Sequence, residues 1–376
     1  MSKLHVVAGA MFGSEGKGHI TAQLIEHPEY RKLSDRVLNI RVAGPNAGHT
    51  VVDDRGVAFP LRTIPVGAAV DHEAVLLIAP GSEIELEVLE SEVKLLREHG
   101  HPVKHLFVSG EATLLEQKHK DTETSLDLHA KLGSTGKGIG AARADRIMRS
   151  ANRIMDSEDA LNRLMDIGAD VIDANQYVDW MADWLEKEDA QIVIEGTQGY
   201  GLGLHAGHYP TCTSSDARAI DFMAMAGIMP WSPGVEDVTV WLVARVFPIR
   251  VAGQSGPLKG ETSWNDLGLP EERTTVTHKV RRVGEWDAEL MRQAVVANGG
   301  ATFGVRHEFL MNGFSVVVAL TMVDQKIPGL FNKTEWRSLS EADNDELSVL
   351  IRSVENDAGT TVGMVSTGPK AVLPIW

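Results

Sequence analysis

Short apolar runs alternate along this chain with longer stretches of helical periodicity. Runs suited to buried strands occur at Leu4–Ala8, Val37–Val42, Val75–Ala79, His105–Val108, Gln191–Glu195, Val238–Val246 and Phe314–Leu320. Helical patterns fill the spaces near Gly18–Glu26, Ile84–His99, Ala151–Asp166, Asn175–Lys187, Asp287–Ala297 and Ser340–Val354. This alternation predicts an α/β fold: a mostly parallel central sheet with helices on both faces. His49–Phe59 reads instead as a hairpin turning at Asp53-Asp54-Arg55-Gly56. Stretches rich in Gly, Ser and Thr at 133–140, 196–216 and 252–263 read as loops. Long loops inside an α/β pattern more often build a site than link domains. With no internal repeat and no clear boundary, residues 1–376 read as one domain.

Composition narrows the class. Hydrophobic residues make up 43% of the 376 positions, enough for a real core. The net charge of −16 argues against a general nucleic-acid binder but permits a local basic pocket for phosphates. Cys212 is the only cysteine, so no intrachain disulfide forms and a reducing cytoplasm is the expected home. The N-terminus enters a strand-like run without a signal-peptide pattern, and no apolar stretch approaches membrane-span length.

The candidate chemistry starts at the first strand. It is followed by Gly9-Ala10-Met11-Phe12-Gly13-Ser14-Glu15-Gly16-Lys17-Gly18-His19 and then a helix, a P-loop-like strand–loop–helix. Glycines let backbone amides converge on an anion, the helix N-terminus adds its dipole, and Lys17 supplies a point charge. The loop is not a Walker A motif, because Gly18 stands where the magnesium-binding hydroxyl belongs.

Four more stretches follow in order: Arg41 to Val52 (RVAGPNAGHTVV), Gly133 to Gly140 (GSTGKGIG), Glu195 to Gly199 (EGTQG) and Tyr209 to Ser215 (YPTCTSS). Together with the phosphate loop they resemble the adenylosuccinate synthetase family from residue 4 to about 220. The C-terminal third matches more loosely, at Val276–Asp287, Thr321–Asp324 and Ser366-Thr367-Gly368-Pro369. The resemblance implies a homodimeric ligase that phosphorylates O6 of a purine nucleotide and lets aspartate displace the phosphate, with Mg2+ as cofactor. It implies Ser14, Lys17 and His49 at the catalytic centre, His49 hydrogen-bonding the γ-phosphate as general acid. It implies triphosphate contacts from Gly13, Glu15, Gly16, Lys17, Gly18, Gly48, His49, Thr50, Met322, Asp324, Ser366 and Gly368. The purine monophosphate falls to Ser14, Asn46, Ser134, Thr135, Gln198 and Thr213, with Arg149 reaching across from the other subunit. Metal ligation falls to the carbonyl of Gly48 and the position of Ser14. Aspartate falls to Thr275, Val276, Thr277, Lys279 and Arg281, in a segment where Lys279 and His278 depart from the family's T-T-G-R-P-R-R.

Two departures bear on the substrate. The family's phosphate loop reads G-D-E-G-K-G, whose aspartate takes the N1 proton. Ser14 is no efficient base at neutral pH. A shorter hydroxyl leaves room for a 2-amino group next to N1, so Ser14 points to a guanine-type nucleotide. The serine variant resembles a phage branch of the family that joins aspartate to dGMP on the way to 2-aminoadenine, which would place the chain in the host cell cytoplasm. Met322 replaces the lysine of the family's T-K-L-D guanine reader, which ranks ATP or dATP ahead of GTP as the triphosphate. Two alternatives stand beside this reading: a standard synthetase using IMP and GTP, and a non-catalytic nucleotide-binding regulator.

Overall fold

The computed structural model describes residues 2–32, 35–206, 208–274, 279–300 and 313–375. Among these residues, strand Ser2–Gly9 (β1) lies inside a ten-stranded sheet, between Ala190–Glu195 and Val235–Arg245. Beyond Ala190–Glu195 come Arg36–Arg41 (β2), Val75–Ile78, Leu106–Ser109 and Ala169–Ile172. Beyond Val235–Arg245 come Phe314–Thr321, Val362–Ser366 and the edge strand Val372–Pro374. Every pairing is parallel except the last, where Val372–Pro374 runs antiparallel.

All seven apolar runs named above are strands of this sheet, and the α/β expectation holds. The runs are continuous because both faces are covered. In β1, Leu4, Val6 and Ala8 enter one core and Val7 the other. Helices Ala174–Leu185, Ala219–Met225, Ala288–Ala297 and Glu341–Ala358 cover the first face. Helices Lys17–Glu26 (α1), Leu86–Glu98 and Glu158–Asp166 cover the second. No helix among the described residues is long and apolar enough to cross a membrane.

The differences have physical causes. The stretch 151–166 is not one helix: a 3-10 turn at Ile154–Asp156 precedes Glu158–Asp166, which starts where Ser157 Oγ accepts from the Ala160 amide at 3.2 Å. A helix runs from Ile139 to Met148, partly within a stretch that reads as loop. The hairpin forms as expected, His49–Val52 pairing antiparallel with Ala58–Leu61.

This topology puts the chemistry on one edge. The phosphate loop follows β1, the His49 loop follows β2, and the Gln198 loop follows Ala190–Glu195. Met322 and Thr367 directly follow the carboxyl ends of two further strands. Ligands of open parallel sheets bind at that edge.

Candidate functional site

The phosphate loop is braced from within. Glu15, 1% exposed, accepts from the amides of Met11 (3.1 Å) and Gly13 (2.7 Å). Lys17 Nζ donates to Glu15 Oε2 at 2.7 Å and to the Gly13 carbonyl at 2.8 Å. The Glu15 side chain therefore shapes the loop rather than facing a ligand. Lys17 keeps one of its three hydrogens for a phosphate. Gly13 and Gly16 have φ of 96° and 91°, a conformation other L-residues rarely adopt, and Gly16 caps α1. A Cβ on Gly18 would lie 2.6 Å from His49 Cβ, so the missing hydroxyl of Walker A is where the histidine packs.

His49 is fixed by two charged strand ends. The parallel register sets Arg41 beside Glu195. Arg41 Nη1, Glu195 Oε1 and His49 Nδ1 lie 2.5 Å from one another, all buried. The carboxylate can only accept, so it favours the tautomer with hydrogen on Nδ1 and leaves Nε2 for a ligand. Glu195 Oε2 accepts from the Val66 amide at 3.0 Å. Burial, then the charge of Arg41, pushes the His49 pKa down to about 4, so the ring is neutral at physiological pH. Burial alone would raise the Glu195 carboxyl, but Arg41 and His49 outweigh it and hold it below the usual range. Thr50 is exposed on the opposite side of its strand from His49, so its side chain does not share the histidine's face.

Ser14 sits in a cationic corner. Arg281 Nη1 donates to Ser14 Oγ at 2.7 Å, and Arg245 Nη1 to the Ser14 carbonyl at 3.3 Å. Buried Arg245 is forked onto Glu272 at 2.6 and 3.0 Å, and Gln325 bridges the two. Thr275, Val276 and Thr277, with His278, lie outside the described residues. Lys279 is exposed, its Nζ 3.3 Å from His129 Nε2.

The remaining loops form a ring around this centre. Gln198, with φ of 59°, backs onto Gly13, whose built Cβ would lie 3.4 Å from Gln198 Oε1. Loop 43–48 meets helix Ile139–Met148, since a Cβ on Gly44 would come within 2.6 Å of Ile139 Cδ1. Asn46 is half-buried there and Gly48 exposed. In loop 133–140, Ser134 Oγ donates to Glu123 at 3.3 Å and Thr135 is exposed. Gly133 and Gly140 bring that loop against Ser255 and Ser214. The Thr213 amide donates to the Leu202 carbonyl at 2.8 Å. Buried Arg250 closes the circle, donating to the carbonyls of Thr211 (3.0 Å) and Pro257 (3.1 Å) while stacking 4.3 Å over Phe12. Thr321 Oγ1 donates to the Glu15 carbonyl at 2.6 Å, and Met322, at φ 58°, lies beside Gly16. Burial raises the Asp324 carboxyl. Ser366 and Gly368 follow at the next strand end, Ser366 Oγ donating to the Gly368 carbonyl at 3.3 Å. Arg149 stands apart, exposed at φ 66° just past its helix, beside Ile147 and Met148 at 74% and 75% exposure.

The supports of the site (Glu195 and Arg41 under His49, Arg245 and Glu272 behind Ser14, Arg250 under Phe12) carry no role in the sequence reading. Their signal is a charged residue closing an apolar strand run, as in Ile40-Arg41, Ile194-Glu195 and Ala244-Arg245.

The donor set bears on magnesium. Among the described residues, no three His, Cys, Asp or Glu side chains gather to hold a metal. Ser14 does not fit as a ligand, because its Oγ already accepts from a guanidinium, a poor neighbour for a dication. The Gly48 carbonyl does fit an ion that keeps few protein oxygens and travels with substrate phosphates.

A sequence model of the adenylosuccinate synthetase family matches residues 6–166 and 155–317. Adenylosuccinate synthetase of Pyrococcus horikoshii is 33% identical over 370 residues, covering 97% of this chain and 96% of its own length. That of Archaeoglobus fulgidus is 34% identical over 372 residues, covering 97% and 95%. Among solved structures, the cyanophage S-2L succinoaminodeoxyadenylate synthetase (PurZ), bound to dGMP and dATP as an energy donor, superposes with a TM-score of 0.77. It shares 25% identity and covers 100% of this chain and 95% of its own. Fully ligated adenylosuccinate synthetase from Plasmodium falciparum gives a TM-score of 0.75 at 20% identity, covering 99% of each chain, a likeness of fold.

Proposed function

This chain belongs to the adenylosuccinate synthetase family and is a carbon–nitrogen ligase, and from that premise we propose that it joins L-aspartate to C6 of dGMP. The family uses Mg2+ and a nucleoside triphosphate; here the triphosphate is ATP or dATP, with GTP behind them. The observation that carries the reading is Ser14, a hydroxyl held by Arg281 where the family places a carboxylate, leaving space beside N1 for a 2-amino group. The likeness to the cyanophage protein, bound to dGMP and dATP, supports it.

The amides of the phosphate loop and Lys17 hold the β- and γ-phosphates. His49, oriented by Glu195, offers Nε2 to the γ-phosphoryl group, whose negative charge favours a proton there. Charge on the transferring group is thereby stabilised in a buried site. Magnesium, when bound, neutralises phosphate oxygens. Arg281 and Lys279 attract the carboxylates of aspartate, while Gln198, Asn46, Thr135 and Thr213 surround the nucleotide. Exposed Arg149, flanked by Ile147 and Met148, supports a homodimer in which it reaches the neighbouring 5′-phosphate.

The test is phosphate release by purified protein with aspartate, magnesium and ATP, dATP or GTP, offering IMP, GMP and dGMP in turn. Turnover with dGMP supports the proposal. Turnover with IMP alone refutes it in favour of the standard activity, which the identity to archaeal adenylosuccinate synthetases favours.

A further inference from the structure

A carboxylate at position 14 would neutralise Arg281 and take a proton from the purine. A serine leaves both tasks open. Among the described residues, the charged side chains bonded to Ser14 or to its partners are Arg281 and Arg245 against Glu272, one positive charge in excess. Gln325 adds none, and the loop's own Lys17 and Glu15 cancel as an ion pair. Asp324, next to Gln325, pairs with neither Arg281 nor Arg245, whose partners are Ser14 and Glu272. Arg281 is held in place twice: its amide donates to the Glu272 carbonyl at 2.8 Å, and its side chain to Ser14. Because Arg281 donates to Ser14 Oγ, the hydroxyl's own hydrogen points elsewhere. Ser14 is thus arranged as a donor, which suits a purine N1 that has lost its proton better than one that retains it.

We propose that Arg281, acting through Ser14, replaces proton abstraction by charge stabilisation: the corner holds the 6-oxopurine as its N1-deprotonated anion. The N1–H bond breaks and its proton passes to water. The electron pair delocalises onto O6, O6 attacks the γ-phosphorus, and the bond to the β-bridging oxygen breaks to release the nucleoside diphosphate. Arg281 is a positioning residue in this step, distinct from its part in holding aspartate. The inference rests on a 6-oxopurine nucleotide, dGMP in the proposed function, lying against Ser14.

Guanine changes its ultraviolet spectrum when N1 ionises, so the proposal is read without turnover. The protein is saturated with dGMP, without triphosphate, and titrated from neutral to alkaline pH against ligand-free protein. Bound dGMP should ionise about 1–3 pH units below free dGMP, the range expected for a close unbalanced charge. Arg281→Gln and Ser14→Ala should each return most of that shift, and Arg281→Lys should keep part of it. Bound dGMP ionising where free dGMP does, or an undiminished shift in Arg281→Gln, overturns the proposal. Should the protein bind IMP and not dGMP, the proposed substrate fails, and the same titration on hypoxanthine decides this inference. Binding of neither nucleotide overturns both.

Discussion

Gly18→Ala adds one methyl group at the point where helix α1 meets His49. The new Cβ would stand 2.6 Å from His49 Cβ, against the ~3.5–4.0 Å of an unstrained carbon contact, so one of them must retreat by about 1 Å. The helix is anchored by its buried face, so the shift falls on the histidine. His49 has little freedom to absorb it, because Nδ1 is bonded to Glu195 at 2.5 Å and the Arg41 guanidinium packs against the same side of the ring. A displacement of that size at a catalytic group costs on the order of 100-fold in rate, or about 2.7 kcal/mol of transition-state stabilisation. Stability should change little: alanine gains about 1 kcal/mol over glycine within a helix, which offsets part of the contact strain. Steady-state phosphate release, paired with thermal unfolding, reads the two effects separately. The expected result is kcat down about 100-fold with Tm within a few degrees of wild type. A kcat within about threefold of wild type, or a loss of activity tracking a large fall in Tm, would refute the reasoning.

Two further outcomes follow from the same geometry. His5 is buried and His19 half-buried with its Nε2 enclosed, and loss of solvent pushes both down to about 4 from 6.5. Trp241 Nε1 donates to His5 Nδ1 at 3.2 Å, a bond only an unprotonated nitrogen accepts. Between those pH values the unfolded chain binds more protons, so stability falls with acidification by up to about 3 kcal/mol per histidine. Denaturant midpoints that stay level from about pH 7 to about pH 5 would contradict this. If Arg149 serves the neighbouring subunit, Arg149→Ala and His49→Ala proteins, each nearly inactive, should regain roughly a quarter of wild-type activity when mixed and re-equilibrated, since half the dimers then carry one intact site. No recovery, with mixed dimers shown by sedimentation, would count against the crossing arginine.

How much of this was legible depended on how strongly each residue's neighbours are local. The seven apolar runs announced themselves because burial on both faces removes most polar positions. Ala169–Ile172 escaped notice because exposed Asp170 interrupts its apolar run, and Val372–Pro374 carries a proline that only an edge strand tolerates. Helix Gln117–Ser125 has no apolar residue to mark a face; it is held by Glu116 and His119 at its start. Phosphate-loop residues were readable because glycines at positive φ and a lysine at a helix start have a local cause. Arg41 and Glu195 were not, because their pairing joins two strands 154 positions apart, and Arg245 was not, because Glu272 and Gln325 lie 27 and 80 positions further on. Ser14 lies between these cases: its identity was visible, but its bond to Arg281 spans 267 positions.

That separation has a kinetic consequence. Glu195 reaches Arg41 across 154 residues and His49 across 146, and the contact exists only when two parallel strands are in register. Pairings of such range are among the last and slowest to form in a folding chain. A chain with its hairpin and first helix already formed would still hold an unoriented histidine. Regained catalysis during refolding would therefore time the joining of β2 to Ala190–Glu195, while helical signals would run ahead of it.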